Sequence, residues 1–314
     1  MKAQNNRTLS SLLYIICLKG NGSLDTIQLL NNTIEFIENN LDNTLDIDEI
    51  AKTSNSSKYH FQRVFYALTG FTVSEYIRNR RLSQAAVEIA TTEGSIISVA
   101  LKYGYESPEA FSKAFKRLHG MTPSSLKKSN CKIKNFPKLS FQVSITGETE
   151  IVFSIIEREA FKALGIGFST TKVGDKIYND IPEFINDIFE NGTNNQINDL
   201  MHKPKDNLLD GFHYDFEEDG SRKYMMGCEL GNAVITDEFL TLEIPKLTWA
   251  VFEDVGDVPD NSILQKLWKR VYSEWFPSSG FEQVKGPCIE KNFWCIDDQE
   301  KYRCELWIPI QRKK

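Results

Sequence analysis

The chain lacks every common spacing of a metal centre. Its four histidines lie far apart without an HxxxH or HExxH pattern, and six cysteines (Cys17, Cys131, Cys228, Cys288, Cys295, Cys304) are scattered without a CxxC pair. That excludes zinc-ribbon and dithiol motifs, and 314 residues can bury enough core to need no disulfide framework. No metal and no cofactor are expected, and a reducing cytoplasm fits best. Also missing is any nucleophile–base signature such as GxSxG or a Cys–His pair, so catalysis has no recognisable carrier. Long apolar runs are absent too. The longest, Leu12 to Leu18, is about a third of the ~20 residues a membrane helix needs, so no membrane partner is expected. Lys2 and Arg7 precede it, but no small-x-small cleavage site follows, and residues 1–23 read as a leader ahead of the first domain.

What is present is an ordinary globular composition, 41% hydrophobic and 25% charged, long enough for two domains. The net charge of −6 conceals a division. Residues 1–135 hold 17 Lys+Arg against 12 Asp+Glu, a net +5, and the remainder holds 20 against 31, a net −11. Halves of opposite sign suggest different partners.

From Asp25 the apolar residues Ile27, Leu30, Ile34, Ile37 and Leu41 recur at helical spacing, and further short helical segments run to about Leu126. The stretch KKSNCKIKNFP is polar, basic and aperiodic. The expected organisation is therefore a helical domain over 24–128, a linker over 129–149 and a second domain over 150–314. In that second domain EIVFSIIE, FKALGIGFST, LLDGFHYDF, KYMMGCEL, LTLEIPKLTWAVFEDVG and YRCELWIPI read as strands. Ile181 to Phe189 and Ser262 to Phe276 read as helices, the latter with Leu264, Leu267, Trp268, Val271 and Trp275 on one stripe. Strands and helices in this order suggest two similar halves of an α+β domain.

The basic half contains an internal repeat. At an offset of 50 residues, Ser57, Phe61, Phe65, Gly70, Thr72 and Ser74 match Ser107, Phe111, Phe115, Gly120, Thr122 and Ser124. Each copy has a Ser suited to an N-cap, aromatics four apart and a Gly suited to a C-cap, and each follows a short helix, LDIDEIAKTSN or SIISVALKYGY. Ala51 and Ala100 allow the paired helices to cross closely. Helix, turn, helix, twice over, is the geometry that places a second helix in the major groove. In the first copy Tyr59, Gln62, Arg63 and Tyr66 share the outer face, with Arg63 suited to guanine and Gln62 to adenine. In the second copy Glu109, Ala110 and Lys113 point outward. The competing reading is a pair of solvated helix faces; duplication, caps and surplus positive charge favour DNA.

Residues from about Leu45 to Lys127 resemble the AraC/XylS-type DNA-binding domain: SSKYHFQRVF is similar to its first recognition helix, TGFTVSEYIRNRRL to its connecting segment and VALKYGYESPEAFSKAFKRLHGMTPSSLKK to its second motif. The resemblance implies two helix-turn-helix units on a central helix, reading neighbouring major-groove faces of promoter DNA. It implies base-facing roles for Tyr59, Gln62 and Arg63 and for Glu109, Ala110 and Lys113, although Glu109 and Ala110 are poorer groove donors than the Gln and Thr of some relatives. Arg78, Arg80 and Arg81 read equally well as phosphate contacts or as salt bridges within the domain. Lys116, Arg117, Lys127 and Lys128 face solvent or phosphate.

Residues 150–314 resemble the GyrI-like effector-binding domain of Rob-like and multidrug-sensing regulators, through LWKRVYSEWFPSSGFE, PCIEKNF and YRCELWIPI. The resemblance implies duplicated β-α-β-β units with helices on one sheet face and a concave ligand cleft on the other. Alternation in YRCELWIPI puts Tyr302, Cys304, Leu306 and Ile308 on one face and Arg303, Glu305 and Trp307 on the other. Glu305 beside Trp307, with Trp249, Tyr214 or Tyr224, and Phe293, suits a hydrophobic or lipophilic cationic effector. Glu290 is the second candidate carboxylate. The alternative is that Glu305 pairs with Arg303 and serves stability alone.

Together these readings describe a cytoplasmic transcription regulator, an activator that engages RNA polymerase, acting as a monomer or weak dimer because one chain carries both groove-reading helices. The rivals are a C-terminal domain that hydrolyses a reactive small molecule, Glu305 acting with Tyr214 or Tyr224, and one that docks a protein partner.

Overall fold

The computed structural model describes residues 22–128, 133–141, 150–170, 177–204, 207–218, 220–231, 237–257, 262–295 and 301–313. Most of the expected leader, along with Cys17 and Cys131, lies outside them. Seven helices build the N-terminal half: α1 (Gly22–Asn39), α2 (Ile47–Thr53), α3 (Lys58–Thr69), α4 (Val73–Thr91), α5 (Ile96–Lys102), α6 (Pro108–His119) and α7 (Pro123–Lys128). The long α4 starts in a reciprocal capping box between Thr72 and Glu75, which satisfies two of its orphan backbone donors. Its one end packs on α1 to α3 through Tyr76 and Ile77, its other on α5 to α7 through Leu82, Ala85, Ala86 and Ile89. Two separate small cores therefore sit on one central helix.

Of the segment expected as a linker, residues 133–141 lie against this helical half. Phe136, Leu139 and Phe141 pack on the α1 to α3 core. Phe136 N–H donates to Ser83 Oγ at 2.9 Å, and Asn31 Nδ2 donates to the Phe141 carbonyl at 2.9 Å. Polar, aperiodic composition hides the attachment because the few apolar residues that make it are spaced for a strap and not for an element.

The C-terminal half is one antiparallel sheet with helices on one face. Its elements are β1 (Val152–Arg158), β2 (Phe161–Ser169), α8 (Ile177–Glu190), α9 (Thr193–Leu200), β3 (Asp210–Tyr214), β4 (Lys223–Glu229), β5 (Leu240–Ile244), β6 (Leu247–Asp257), α10 (Ser262–Arg270), a π-helical turn Val271–Trp275, α11 (Phe276–Ser279), β7 (Phe281–Gln283), β8 (Cys288–Trp294) and β9 (Lys301–Arg312). The strand order β1-β6-β9-β8-β3-β4-β2-β5 is a palindrome of the two repeats, with β7 pairing β9. Each repeat sends its leading strand to the other: β1 pairs β6, and β5 pairs β2. The two β-α-β-β units thus form a single body with pseudo-twofold symmetry.

Register divides the sheet residues between two faces. Tyr302, Cys304, Leu306 and Ile308 pack with Leu267, Val271 and Trp275 beneath α10, as alternation in β9 predicts. Phe212, Met225, Trp249, Val251, Ile289 and Trp307 form the core of the opposite face.

Candidate DNA-reading helices and effector cleft

The helices α3 and α6 begin and end alike. Ser57 Oγ accepts from His60 N–H and Ser107 Oγ from Ala110 N–H, each satisfying a first-turn donor. Gly70 and Gly120 close them at φ of 73° and 78°, where glycine alone pays no Cβ penalty. Inner faces match as well: Phe61 and Phe65 are buried under α3, Phe111 and Phe115 under α6, with ring centroids 5.8 and 5.5 Å apart. Both units have the helix-turn-helix form that places the second helix on its partner.

Their outer faces differ. Glu109, Ala110 and Lys113 on α6 are exposed, whereas Arg63 on α3 is only 8% exposed, and Tyr59, Gln62 and Tyr66 are partly covered. The cover is the sheet domain. Arg63 Cζ lies 4.2 Å from the centroid of Phe216, the residue two beyond β3, and the Tyr59 ring meets Phe216 edge-on at 6.5 Å. Lys58 Nζ reaches Glu218 Oε1 at 2.6 Å, which raises the lysine pKa. Ser57 N–H donates to Glu282 Oε2 at 3.2 Å, and Gln283 N–H donates to His60 Nδ1 at 3.0 Å. Burial pushes His60 down to about 3, keeping it neutral, and the His60 ring stands against Phe276 at 4.8 Å. Val64 joins the same buried cluster as Tyr272, Phe276 and Leu306, so one apolar core crosses from α3 into the sheet domain.

The expectation that Arg63 stands open to solvent is therefore corrected in this structure: it is covered, because the residues that cover it come from a different domain. One polar group on that face goes unsatisfied among the described residues, and one charge has rings for neighbours. Tyr59 Oη is buried without a hydrogen-bond partner, and no carboxylate pairs with the Arg63 guanidinium.

The three arginines of IRNRRL separate. Arg80 is buried and holds Glu38 through Nε at 2.8 Å and Nη2 at 2.7 Å, with Nη1 on the Phe136 carbonyl at 2.5 Å. Arg81 donates to the carbonyls of Leu41 and Asn43 at 2.8 and 2.6 Å. Both tie α4 to its own domain. Arg78 stays exposed, 3.7 Å from Glu75 Oε1. Lys127 bonds the Glu93 and Gly94 carbonyls, while Lys116, Arg117 and Lys128 are exposed.

On the helix-free face of the sheet, Glu305, Trp307, Trp249, Tyr214 and Phe293 lie on one side as β9, β6, β3 and β8 alternate. Glu305 is 9% exposed; its Oε2 accepts from Trp307 Nε1 at 2.8 Å, and its Oε1 meets Arg303 Nη1 at 3.0 Å. The Arg303 guanidinium also faces Glu253 at 3.3 Å and the Phe293 ring at 4.5 Å. Trp249 and Trp307 meet edge-on at 5.9 Å. Trp249 Nε1 is buried without an acceptor among the described residues. Two further ion pairs flank the tryptophans: Lys291 with Asp210 at 3.5 Å and Arg158 with Glu229 at 3.0 Å.

Tyr224 and Glu290 do not belong to this face. A strand alternates sides at every residue, and register puts Gly211 against Glu290 and His213 against Tyr224, both toward the helices. Tyr224 packs with Phe168 and Phe184 there, and burial raises its pKa well above the ordinary value. Burial would raise the Glu290 carboxyl, but His213 Nε2 at 3.2 Å and Trp268 Nε1 at 2.6 Å hold it below the usual range. His213 Nδ1 in turn accepts from Arg222 Nε at 3.0 Å, and burial keeps its imidazole neutral. Arg222 faces Phe216 at 6.0 Å, on the seam with α3.

Phe216, Glu218 and Glu282 went unnoticed in the sequence, for they sit in a loop and a short strand without periodicity. No group of His, Cys, Asp or Glu among the described residues could hold a metal ion, and no described helix is long and apolar enough to cross a membrane.

Comparison with known proteins agrees with both halves. Residues 154–310, half of the chain, match the family described as integron-associated effector binding protein, and residues 50–129 match a helix-turn-helix domain family. The regulatory protein SoxS of Salmonella typhimurium is 45% identical over 97 residues, 31% of this chain and 91% of SoxS. The HTH-type transcriptional activator AarP of Providencia stuartii is 43% identical over 96 residues, 31% of this chain and 71% of AarP. The right origin-binding protein of Escherichia coli is 35% identical over 106 residues, 34% of this chain and 37% of that protein. With a duplicated helix-turn-helix half, shared with such relatives, joined to a palindromic effector-binding sheet, the chain belongs to the AraC-type DNA-binding transcription regulators that carry a GyrI-like effector-binding domain.

Proposed function

We propose that this regulator senses a lipophilic cation on the helix-free sheet face and reads promoter DNA through Tyr59, Gln62, Arg63 and Tyr66 of α3, while Glu109, Ala110 and Lys113 of α6 lie along the neighbouring groove with Lys113 and Arg78 on phosphate. It acts in the cytoplasm, where the DNA is, as a monomer able to engage both groove faces, and recruits RNA polymerase from that site. The observation that carries the effector reading is Glu305: a nearly buried carboxylate bonded by Trp307, with Trp249 behind it. A cation there gains Coulomb attraction in a low dielectric and competes with Lys291 and Arg158 for the Trp307 ring. Arg303 pairs with Glu305, but it is 39% exposed and already shares Glu253 and Phe293, so it has partners to retreat to. The free Trp249 Nε1–H favours an effector that also carries an acceptor.

The test is binding of a panel of quaternary ammonium and arylphosphonium cations and their neutral isosteres, followed by tryptophan fluorescence and thermal shift. Glu305→Gln is expected to weaken the cations about tenfold and leave the isosteres unchanged. Equal loss for both, or none, removes Glu305 from recognition. Quantitative recovery of the ligand after incubation separates sensing from hydrolysis, and turnover would favour the enzymatic alternative.

A further inference from the structure

The seam around α3 has the chemistry of a DNA complex with carboxylates in place of phosphates. A helix N-terminus with a lysine beside it attracts anions, and here two carboxylates occupy it: Glu282 on the Ser57 N–H and Glu218 on Lys58. Burial alone would raise the Glu282 carboxyl, yet Gln311 and Ser57 hold it below its ordinary value, so it stays charged at this position. On the same seam the Phe216 ring lies 4.2 Å from the Arg63 guanidinium carbon and edge-on to Tyr59. Every outer residue of α3 assigned to base contact lines this seam, whereas the corresponding face of α6 is open.

We propose that the effector-binding domain is an intramolecular DNA mimic: docked as here, it caps the first recognition helix, so that DNA and the loop carrying Phe216 and Glu218 compete for one surface while α6 stays available. This rests on the reading of α3 as a DNA-contacting helix. The contact is built to be released. Tyr59 Oη is buried without a hydrogen-bond partner among the described residues, and the Arg63 guanidinium stacks on Phe216 with no carboxylate paired to it among them; DNA, rich in acceptors, offers both a better partner. Coupling to the cleft has a direct structural carrier in β9: the strand bearing Glu305 and Trp307 continues to Gln311, whose Nε2 holds Glu282 Oε1 at 2.7 Å. An effector that shifts β9 therefore acts on the anchor of the cap.

The experiment uses the full chain and a duplex that the wild-type chain itself recovers from a randomised pool. Phe216→Ala and Glu218→Gln, both outside the DNA-reading set, are measured for affinity across a salt series and for hydrogen exchange of residues 58–69 against 108–119. Apparent affinity falls by the fraction of molecules that are competent, so uncapping is expected to tighten binding about tenfold, with faster exchange in α3 and unchanged exchange in α6. Glu218 is exposed, so Glu218→Gln leaves the fold intact even if Phe216→Ala does not. Unchanged affinity in the folded variants overturns the proposal, as does tighter binding without faster α3 exchange, which would be a pure charge effect. Recovery of no duplex by any form would sink the DNA-reading assignment itself, while the exchange comparison still decides whether α3 is capped.

Discussion

The helices α3 and α6 share a cap, a length of 12 residues and a pair of buried phenylalanines, yet one has its outer face largely covered and the other has it open. At an offset of 50 residues the covered face carries Tyr59, His60, Arg63 and Tyr66, and the open one Glu109, Ala110, Lys113 and Lys116. Long amphipathic side chains give α3 a surface that can serve two partners, since an arginine stacks on a ring as readily as it bonds a base edge. The small and acidic residues of α6 offer a second domain little to bury. The scaffold repeats, and the outer residues do not.

The largest expected effect should leave the comparison symmetric. Phe61→Ala and Phe111→Ala each empty a fully buried aromatic site and should cost about 3–5 kcal/mol in urea denaturation. A much smaller cost on one side would mean that the repeat is not a structural one.

Acid should break the symmetry. His60, buried and neutral with a pKa of about 3, has ordinary value 6.5, and Lys313 and Glu282 are the charges that face it. Its docked form binds fewer protons, so stability of docking rises with pH, is fully present above about 6.5 and is lost progressively below that. At pH 5 the contact should be weaker by up to about 2 kcal/mol if undocking alone frees the imidazole. Hydrogen exchange at pH 5, corrected for intrinsic rate, should quicken in α3 and not in α6; His60→Gln should abolish the difference.

The smallest effect sharpens the contrast on DNA. Lys113→Ala on the bare helix should weaken binding by less than about 1 kcal/mol, equally on all sequences, and lower the salt slope by about one. A change in base preference would instead give α6 a reading role.

Local patterns were sufficient for the elements and for the contrast between a helical N-terminal and a sheet-based C-terminal half. Caps at Ser57 and Ser107, glycines at 70 and 120 and phenylalanines four apart announce the repeat because each acts within a turn or two of helix. Alternation in β9 sorted Glu305 and Trp307 from Cys304 and Leu306 because strand periodicity is a local constraint. It failed for Tyr224 and Glu290, where the choice of face depends on register against β3, a partner that no local pattern specifies. Arg80 and Arg81 looked like Arg78, and only the fold distinguished them, by placing Glu38 and the Leu41 carbonyl within their reach.

By itself the sequence determined the helix-turn-helix repeat, the paired sheet units and the opposite charges of the two halves, since these follow from short-range propensity, periodicity and composition. The tertiary structure alone decided that Phe216, Glu218 and Glu282, each more than 150 residues from the side chain or backbone group it meets at α3, lie across it. Contacts at that separation depend on how two finished domains fit, and a solvent-facing pattern on a helix is silent about what eventually displaces the solvent.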